Sequence, residues 1–361
     1  MKNGVGLPQE IVTDILSRLP ANSIGQFRCI SMLWRSQLSS PELIKAHLNR
    51  NTHYEKLILI SCNHSLFSLT LNNNPLESDS VATKLNFQES NNWGEVVGSC
   101  NDLLLVINGE DKKFLLKPTT RESKKLPDSS FALDPFASFI MYGLGFDSSI
   151  DDYKVVTLSS NDTDNEHEPD CTNMFENVYS LKSNSWKRVQ NSPYDHAVAL
   201  ISSEIYVNGC VHWLASRVSD YLLVTAAFDL GDEKFREVAA PSSLDKDKFV
   251  YNKLLVLGGC LCMLDRNQTD LWVMKEYGVE ESWTKYMICV PDACEITPLC
   301  LWGDEVVLLD LDGERLNVYN LKEETSRNLV VLGAPNKFEY GESFVESLVS
   351  PDRGNEIRGV E

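Results

Sequence analysis

Two hydrophobic rhythms share this chain. Up to about residue 50, apolar positions recur every three or four residues. Beyond about Tyr54 they come in short runs of four to eight, separated by Gly, Asn, Asp and Ser. The first rhythm predicts helices and the second predicts strands. Ile11, Val12, Ile15, Leu16 and Leu19 define a wide apolar face, with Thr13, Asp14, Ser17 and Arg18 opposite. Pro8 suits the first turn of that helix, because its missing N–H would lack an intrahelical partner anyway, and Pro20 stops it. A second helix is expected to start with Asn22 or Ser23 as its cap and to run through Ile24 and Phe27. A third spans about Ser31 to Leu38, and Pro41 starts a fourth, a connector over residues 41–55. Helices this short are marginal alone. An apolar face wider than the cassette can cover implies a protein partner; the alternative is a helical cap packed on the main domain.

The second rhythm repeats. "NVYSLKSNSWKRV", "AAFDLGDEKFREV", "LWVMKEYGVEESWTKYM", "LNVYNLKEETSRNLV" and "FLLKPTTRESKKLP" each read as a strand, a polar turn and a second strand. That second strand starts near Ser123, Trp186, Phe235, Trp283 or Ser326, spaced 63, 49, 48 and 43 residues apart. Each hairpin is preceded by a Gly and an apolar run, as in "GSCNDLLLV", "NGCVHWLA", "GGCLCML" and "GDEVVLL", which fits an inner strand where backbones approach closely. "GLGFDSSIDDYKVVTL" plays that part in the remaining unit. Four strands every ~45 residues is the spacing of a β-propeller blade. Residues 54–90 hold most of a further blade, and Phe344 to Ser350 is expected to complete it and close a ring of six. Closure leaves no unpaired strand edge.

Charge changes the picture. The net charge is −19, yet residues 1–50 carry six Lys/Arg against three acids. So acidic a body repels phosphates, and no nucleic acid partner is expected. No apolar run approaches the ~20 residues of a membrane span, and no h-region follows Met1–Gly4, so neither membrane nor secretory leader is expected. The ten cysteines form no C-x-x-C pair and read as reduced core residues, although Cys100, Cys210 and Cys260 fall at one repeat position. None of the six histidines pairs at zinc spacing; His212 reads as a hydrogen-bonded core or channel residue. With no nucleophile elbow, P-loop or dinucleotide fingerprint, neither catalytic residues nor cofactors nor metals are expected. The stretch from Ser159 to Asp170 is an acidic insertion, read as a solvated loop or as a lip that attracts a basic target.

"LPQEIVTDILSRLPANSIGQFRCISMLWRSQLSSPELIKAHL" resembles an F-box, through Leu7, Pro8, Ile11, Ile15, Leu16, Leu19, Pro20, Phe27, Cys29, Ser31, Trp34 and Leu38. The resemblance implies docking on the small acidic adaptor of a cullin-based (SCF) ubiquitin ligase. Leu7, Pro8, Ile11, Ile15, Leu16, Leu19, Pro20, Phe27 and Trp34 would form the contact. Gly25 stands where the family mostly has leucine, and Met32 replaces a usual basic residue, so adaptor binding is expected to be somewhat weakened. "YGLGFDSSIDDYKVV", "VYSLKSNSWKRV", "GCVHWLA" and "WVMKEYGVEESWTKY" resemble the plant F-box-associated, kelch-like interaction domain. The resemblance implies a substrate receptor, nearest to the immune-regulatory type through "YGLGFDSSIDDYKVV" and "NSWKRV", with a protein target on propeller loops. A nuclear and cytoplasmic location goes with it. The expected organisation is a small all-α F-box over 1–50, an all-β propeller over 51–350 and a tail over 351–361. The alternative is a propeller scaffold whose helical cap is structural.

Overall fold

The computed structural model describes residues 8–28, 30–38, 40–51, 55–71, 80–87, 92–131, 138–161, 174–196, 204–217, 219–220, 222–242, 253–265, 270–290, 295–302, 304–310, 315–333 and 337–351. Four helices lead: α1 (Gln9–Leu16), α2 (Ala21–Arg28), α3 (Met32–Leu38) and α4 (Pro41–Asn51). Pro8 sits just before α1, where its carbonyl accepts the Val12 N–H at 3.1 Å. The expected cap at Asn22 or Ser23 is corrected. The helix is already turning at Ala21, because the Pro20 carbonyl accepts the N–H groups of Ser23 and Ile24. Ser31 and Ser40 cap α3 and α4, their hydroxyls accepting the Trp34 and Leu43 N–H groups at 3.2 and 3.3 Å. Leu7 lies outside the described residues.

The strands form six blades, antiparallel except for one parallel pair at the outer edge of blade 1. Blade 1 begins with β1 (Glu55–Ser61), β2 (Leu66–Thr70) and β3 (Ser80–Leu85). Blade 2 holds β4 (Trp93–Cys100), β5 (Leu103–Asn108), β6 (Lys113–Lys117) and β7 (Glu122–Lys125). Blade 3 holds β8 (Ser138–Asp147), β9 (Asp152–Asn161), β10 (Phe175–Ser180) and β11 (Ser185–Arg188). Blade 4 is β12 (Tyr194–Asp195), β13 (Ile205–Val207), β14 (Cys210–Arg217), β15 (Leu223–Asp229) and β16 (Lys234–Val238). Blade 5 is β17 (Lys253–Leu257), β18 (Cys260–Leu264), β19 (Asp270–Met274) and β20 (Trp283–Met287). Blade 6 is β21 (Ile296–Trp302), β22 (Glu305–Asp310), β23 (Arg315–Asn320) and β24 (Thr325–Asn328). The chain then returns to blade 1, with β25 (Val331–Leu332) on its outer edge and β26 (Phe338–Val345) on its inner edge. The first blade is thus completed by the last strand, as expected, but the strand lies earlier than Phe344–Ser350. Leu348 and Val349 are released from the sheet and buried elsewhere.

The Gly-led elements also need correction. The runs in "NGCVHWLA", "GGCLCML" and "GDEVVLL" are the second strands of their blades and not the innermost ones, whereas Gly98, Gly143 and Gly145 do lie on innermost strands, β4 and β8, close against the neighbouring blade. Asn208 and Gly209 have φ of 51° and 79°, and Gly258 and Gly259 have 57° and 76°. Two consecutive left-handed residues make the two-residue turn that matches strand twist, so glycine is there for φ. The same alignment moves Cys100 out of the shared position: it ends β4 and faces Leu103 across the turn, whereas Cys210 and Cys260 each begin a second strand. The outer hairpins repeat another device. Arg121, Glu233 and Glu324 adopt positive φ and donate their N–H to the carbonyl four residues back. Two of the repeat aromatics latch blades together. Trp186 Nε1 donates to the Pro127 carbonyl at 2.8 Å, and Trp283 Nε1 to the Ala239 carbonyl at 2.9 Å. Each indole thereby holds the segment that leaves the preceding blade.

The polar residues of "GFDSSIDDYKVV" build a clamp between blades 3 and 4. Lys154 is buried, with its ammonium 2.7 Å from Asp147, 2.9 Å from Glu233 and 2.6 Å from the Leu230 carbonyl. Burial alone would raise the Asp147 carboxyl, but hydrogen bonds from Lys154 and Ser149 outweigh it and hold the group below its ordinary value. Glu233 is lowered in the same way, by Lys154 and Lys187. Burial opposes the Lys154 charge, yet hydrogen bonds to Asp147 and Glu233 leave its pKa raised. Removing one partner of such a group leaves a buried charge uncompensated. Lys154→Met should therefore lower unfolding stability by about 3–5 kcal/mol in urea titrations at pH 7. Because both carboxyls are depressed, the clamp's contribution is present above their ordinary range and lost as pH falls through their folded values. The difference between wild type and variant should shrink towards acid pH.

Candidate docking site

The helices use one side to hold the propeller. Leu16, Ala21, Ile24, Leu38, Leu43 and Ile44 belong to a single buried cluster with Cys100, Leu103 and Leu115 of blade 2 and with Tyr153, Tyr179 and Leu181 of blade 3. A Cβ added at Gly25 would lie 3.3 Å from Thr120 Cγ2 in the β6–β7 turn. Gly25 thus lets α2 approach blade 2, which accounts for a residue that costs helix stability. Within the helical layer, Asp14 pairs with Arg18 at 2.9 Å and with Arg50 of α4. His47 Nε2 lies 3.0 Å from the Leu19 carbonyl.

The opposite side is left open and apolar. Ile11 and Ile15 of α1 are 47% and 48% exposed, Phe27 and Trp34 each 39%, with Ile30 and Met32 exposed beside them in sequence. Pro8 and Pro20 are exposed as well. Leu16 is buried in the shared core and Leu19 is half-buried against it. The exposed set is therefore narrower than the full pattern of expected contact residues. Isolated surface leucines or isoleucines mean little; several large apolar side chains on one small helical layer mark an interaction face.

The short turns β4–β5, β6–β7, β8–β9 and β10–β11 lie at the helical face, since Cys100, Leu103, Thr120, Tyr153 and Leu181 all flank them. In antiparallel blades the remaining connections must then gather at the far face. Residues 132–137, 162–173 and 243–252, and with them most of the acidic insertion, lie outside the described residues.

His212 is buried between blades, Nε2 2.7 Å from the Tyr277 hydroxyl, and burial lowers its pKa to about 4, as a core histidine should behave. Ser192 Oγ and His196 Nε2 are 2.9 Å apart, a nucleophile–base geometry among the described residues that the sequence does not signal. His196 is fully buried, its Nδ1 has no hydrogen-bond partner, and burial lowers it to about 3. An imidazole without an orienting acid does not make a triad. Ser192 Oγ instead accepts the Tyr194 N–H at 3.2 Å, and its own N–H binds Glu176 at 2.6 Å, which makes a turn. Among the described residues no group of three or more His, Cys, Asp or Glu is placed to hold a metal ion. The seven described cysteines are free thiols, Cys62 and Cys289 exposed. Among the described residues no helix is long and apolar enough to cross a membrane.

Helical module and ring together define the class. Residues 6–45 match the F-box domain, and residues 53–350 match the F-box associated beta propeller domain. The chain belongs to the F-box proteins that carry this propeller. It is 31% identical to F-box protein CPR1 of Arabidopsis thaliana, over 97% of this chain and 90% of that protein. Two further Arabidopsis thaliana proteins are each 28% identical. F-box/kelch-repeat protein At3g23880 matches over 84% of this chain and 85% of its own, and F-box protein At3g07870 over 92% and 89%.

Glu176 offers a test of the turn just described. Its side chain is wholly buried and one carboxyl oxygen lacks a partner. Burial pushes its pKa up to about 7, against the smaller effect of the Ser192 N–H. A raised carboxyl contributes stability below its ordinary range and loses it as pH rises through the folded value. Glu176→Gln keeps the acceptor and removes the charge. It should stabilise the protein by on the order of 2 kcal/mol at pH 8 and by little at pH 5, in denaturant titrations at the two pH values.

Proposed function

We propose that this chain is the target-recognition subunit of an SCF-type ubiquitin ligase. Its F-box docks on the cullin adaptor and its propeller holds a protein destined for ubiquitination. The observation that carries this is the exposed apolar face of Ile11, Ile15, Phe27 and Trp34 on a helical layer whose other side is sealed. Pro8 and Pro20 border that face, and Leu7 completes the docking set from outside the described residues. Leu16 and Leu19 serve it from beneath, by fixing α1 on the core. The basic excess of residues 1–50 complements an acidic adaptor.

The target would sit on the face away from the helices. Variable connections on a rigid scaffold are where recognition resides, and the short-turn face is partly occupied by the F-box. The chain then contributes proximity: a tethered target reaches an effective concentration on the order of millimolar beside the activated ubiquitin. We place the protein in nucleus and cytoplasm. The motifs shared with the immune-regulatory type are spent on the Lys154 clamp and the Trp186 latch, so they support the propeller more directly than any choice of target in defence. A purely structural cap explains Leu16, Ala21 and Ile24, but leaves Ile11, Ile15 and Trp34 without a purpose.

Two variants separate the readings. Ile11→Asp with Ile15→Asp should weaken capture of the purified adaptor by at least ~100-fold, since desolvated anchors carry about 2 kcal/mol or more each. The urea midpoint should stay close to wild type. Leu16→Ala should instead destabilise the fold by about 2–5 kcal/mol. Adaptor capture that survives the double substitution would refute the docking face.

A further inference from the structure

The F-box is joined covalently to the propeller once, between Asn51 and Glu55. A single tether of that kind lets a small helical layer swing. The other chain end supplies a second attachment. Past β26, Glu346 pairs with Lys56 at 2.5 Å, the residue next to the tether. Ser347 donates its hydroxyl to the Asn101 carbonyl, and its N–H reaches Asp102 at 3.4 Å, both in the β4–β5 turn. The Ser347 hydroxyl also accepts the Val349 N–H at 3.3 Å. Leu348 and Val349, each 2% exposed, then enter the same buried cluster as Leu16, Ile24, Leu38 and Leu43. Ring closure delivers this segment to the helical face, because β26 runs antiparallel to β1 and ends beside Glu55.

We propose that residues 346–351 are a clasp that locks the F-box onto blades 2 and 3, so that helices and propeller move as one body. Ser347 fixes the segment to the blade 2 turn, and Leu348 and Val349 supply the apolar surface that the helices share. Gly25 separately brings α2 against Thr120 of the β6–β7 turn. The clasp requires no adaptor. Its consequence, that the direction from docking face to target face is fixed, rests on the ubiquitin-ligase reading.

Hydrogen–deuterium exchange of the full chain, without adaptor, tests the clasp. In wild type, α2 should exchange as slowly as β5, as parts of one cooperative unit. Leu348→Asp should speed exchange in α2 by about tenfold or more while β17 and β18 of blade 5 stay protected. An α2 that is unprotected in wild type, or unchanged in Leu348→Asp, would overturn the proposal. Should Leu348→Asp expose blade 5 too, the milder Leu348→Ala gives the answer. Loosening of α2 with blade 5 intact supports the clasp, and an unchanged α2 rejects it.

Discussion

The pairing of β26 with β1 is the constraint on which the molecule depends. Without it, blade 1 would expose the inner edge of β1, and the ring of inner strands would be open between β21 and β4. An open edge of that length invites pairing with other chains. Closure also sets the position of everything at the helical face. It brings Lys56 and Glu346 together and carries Leu348 and Val349 under the helices. The F-box therefore rests on a platform that exists only when the ring is shut.

From that platform the division of labour follows. Ala21, Ile24, Leu38 and Leu43 are turned inward, which leaves Ile11, Ile15, Phe27 and Trp34, together with Met32, as exposed apolar surface of the described helices. The cassette is at once a cap on the propeller and a face for something else. Either description alone leaves half of its apolar residues unexplained. The polar residues that mark the repeats behave similarly. Asp147 and Lys154 use their hydrogen bonds to join blades.

Much of this was legible in the chain. Short apolar runs and the recurring Trp186, Phe235 and Trp283 set blade number, because each blade must solve the same packing problem. The apolar face of α1 was legible for the same reason. What escaped was set by contacts distant in sequence. Gly25 reads as a helix defect until Thr120 is found beside it. The run at Leu348 reads as a strand until the F-box core claims it. Gly209 invited a close-approach explanation, whereas positive φ in a two-residue turn is what it supplies; Gly258 supplies that φ and also lies close against Leu301. Ser192 and His196, four apart in an irregular segment, carry no periodic signal that could have joined them.

Docking turns on which side of the helical layer is free to meet a partner. Hydroxyl-radical footprinting of the full chain, with and without the purified adaptor, reads this directly from side-chain oxidation. Ile11, Ile15, Phe27 and Trp34 should be oxidised in the free chain and shielded in the complex, with the residues of the far propeller face unchanged. Shielding confined to the far face, with Trp34 and Ile15 as reactive as before, would contradict it.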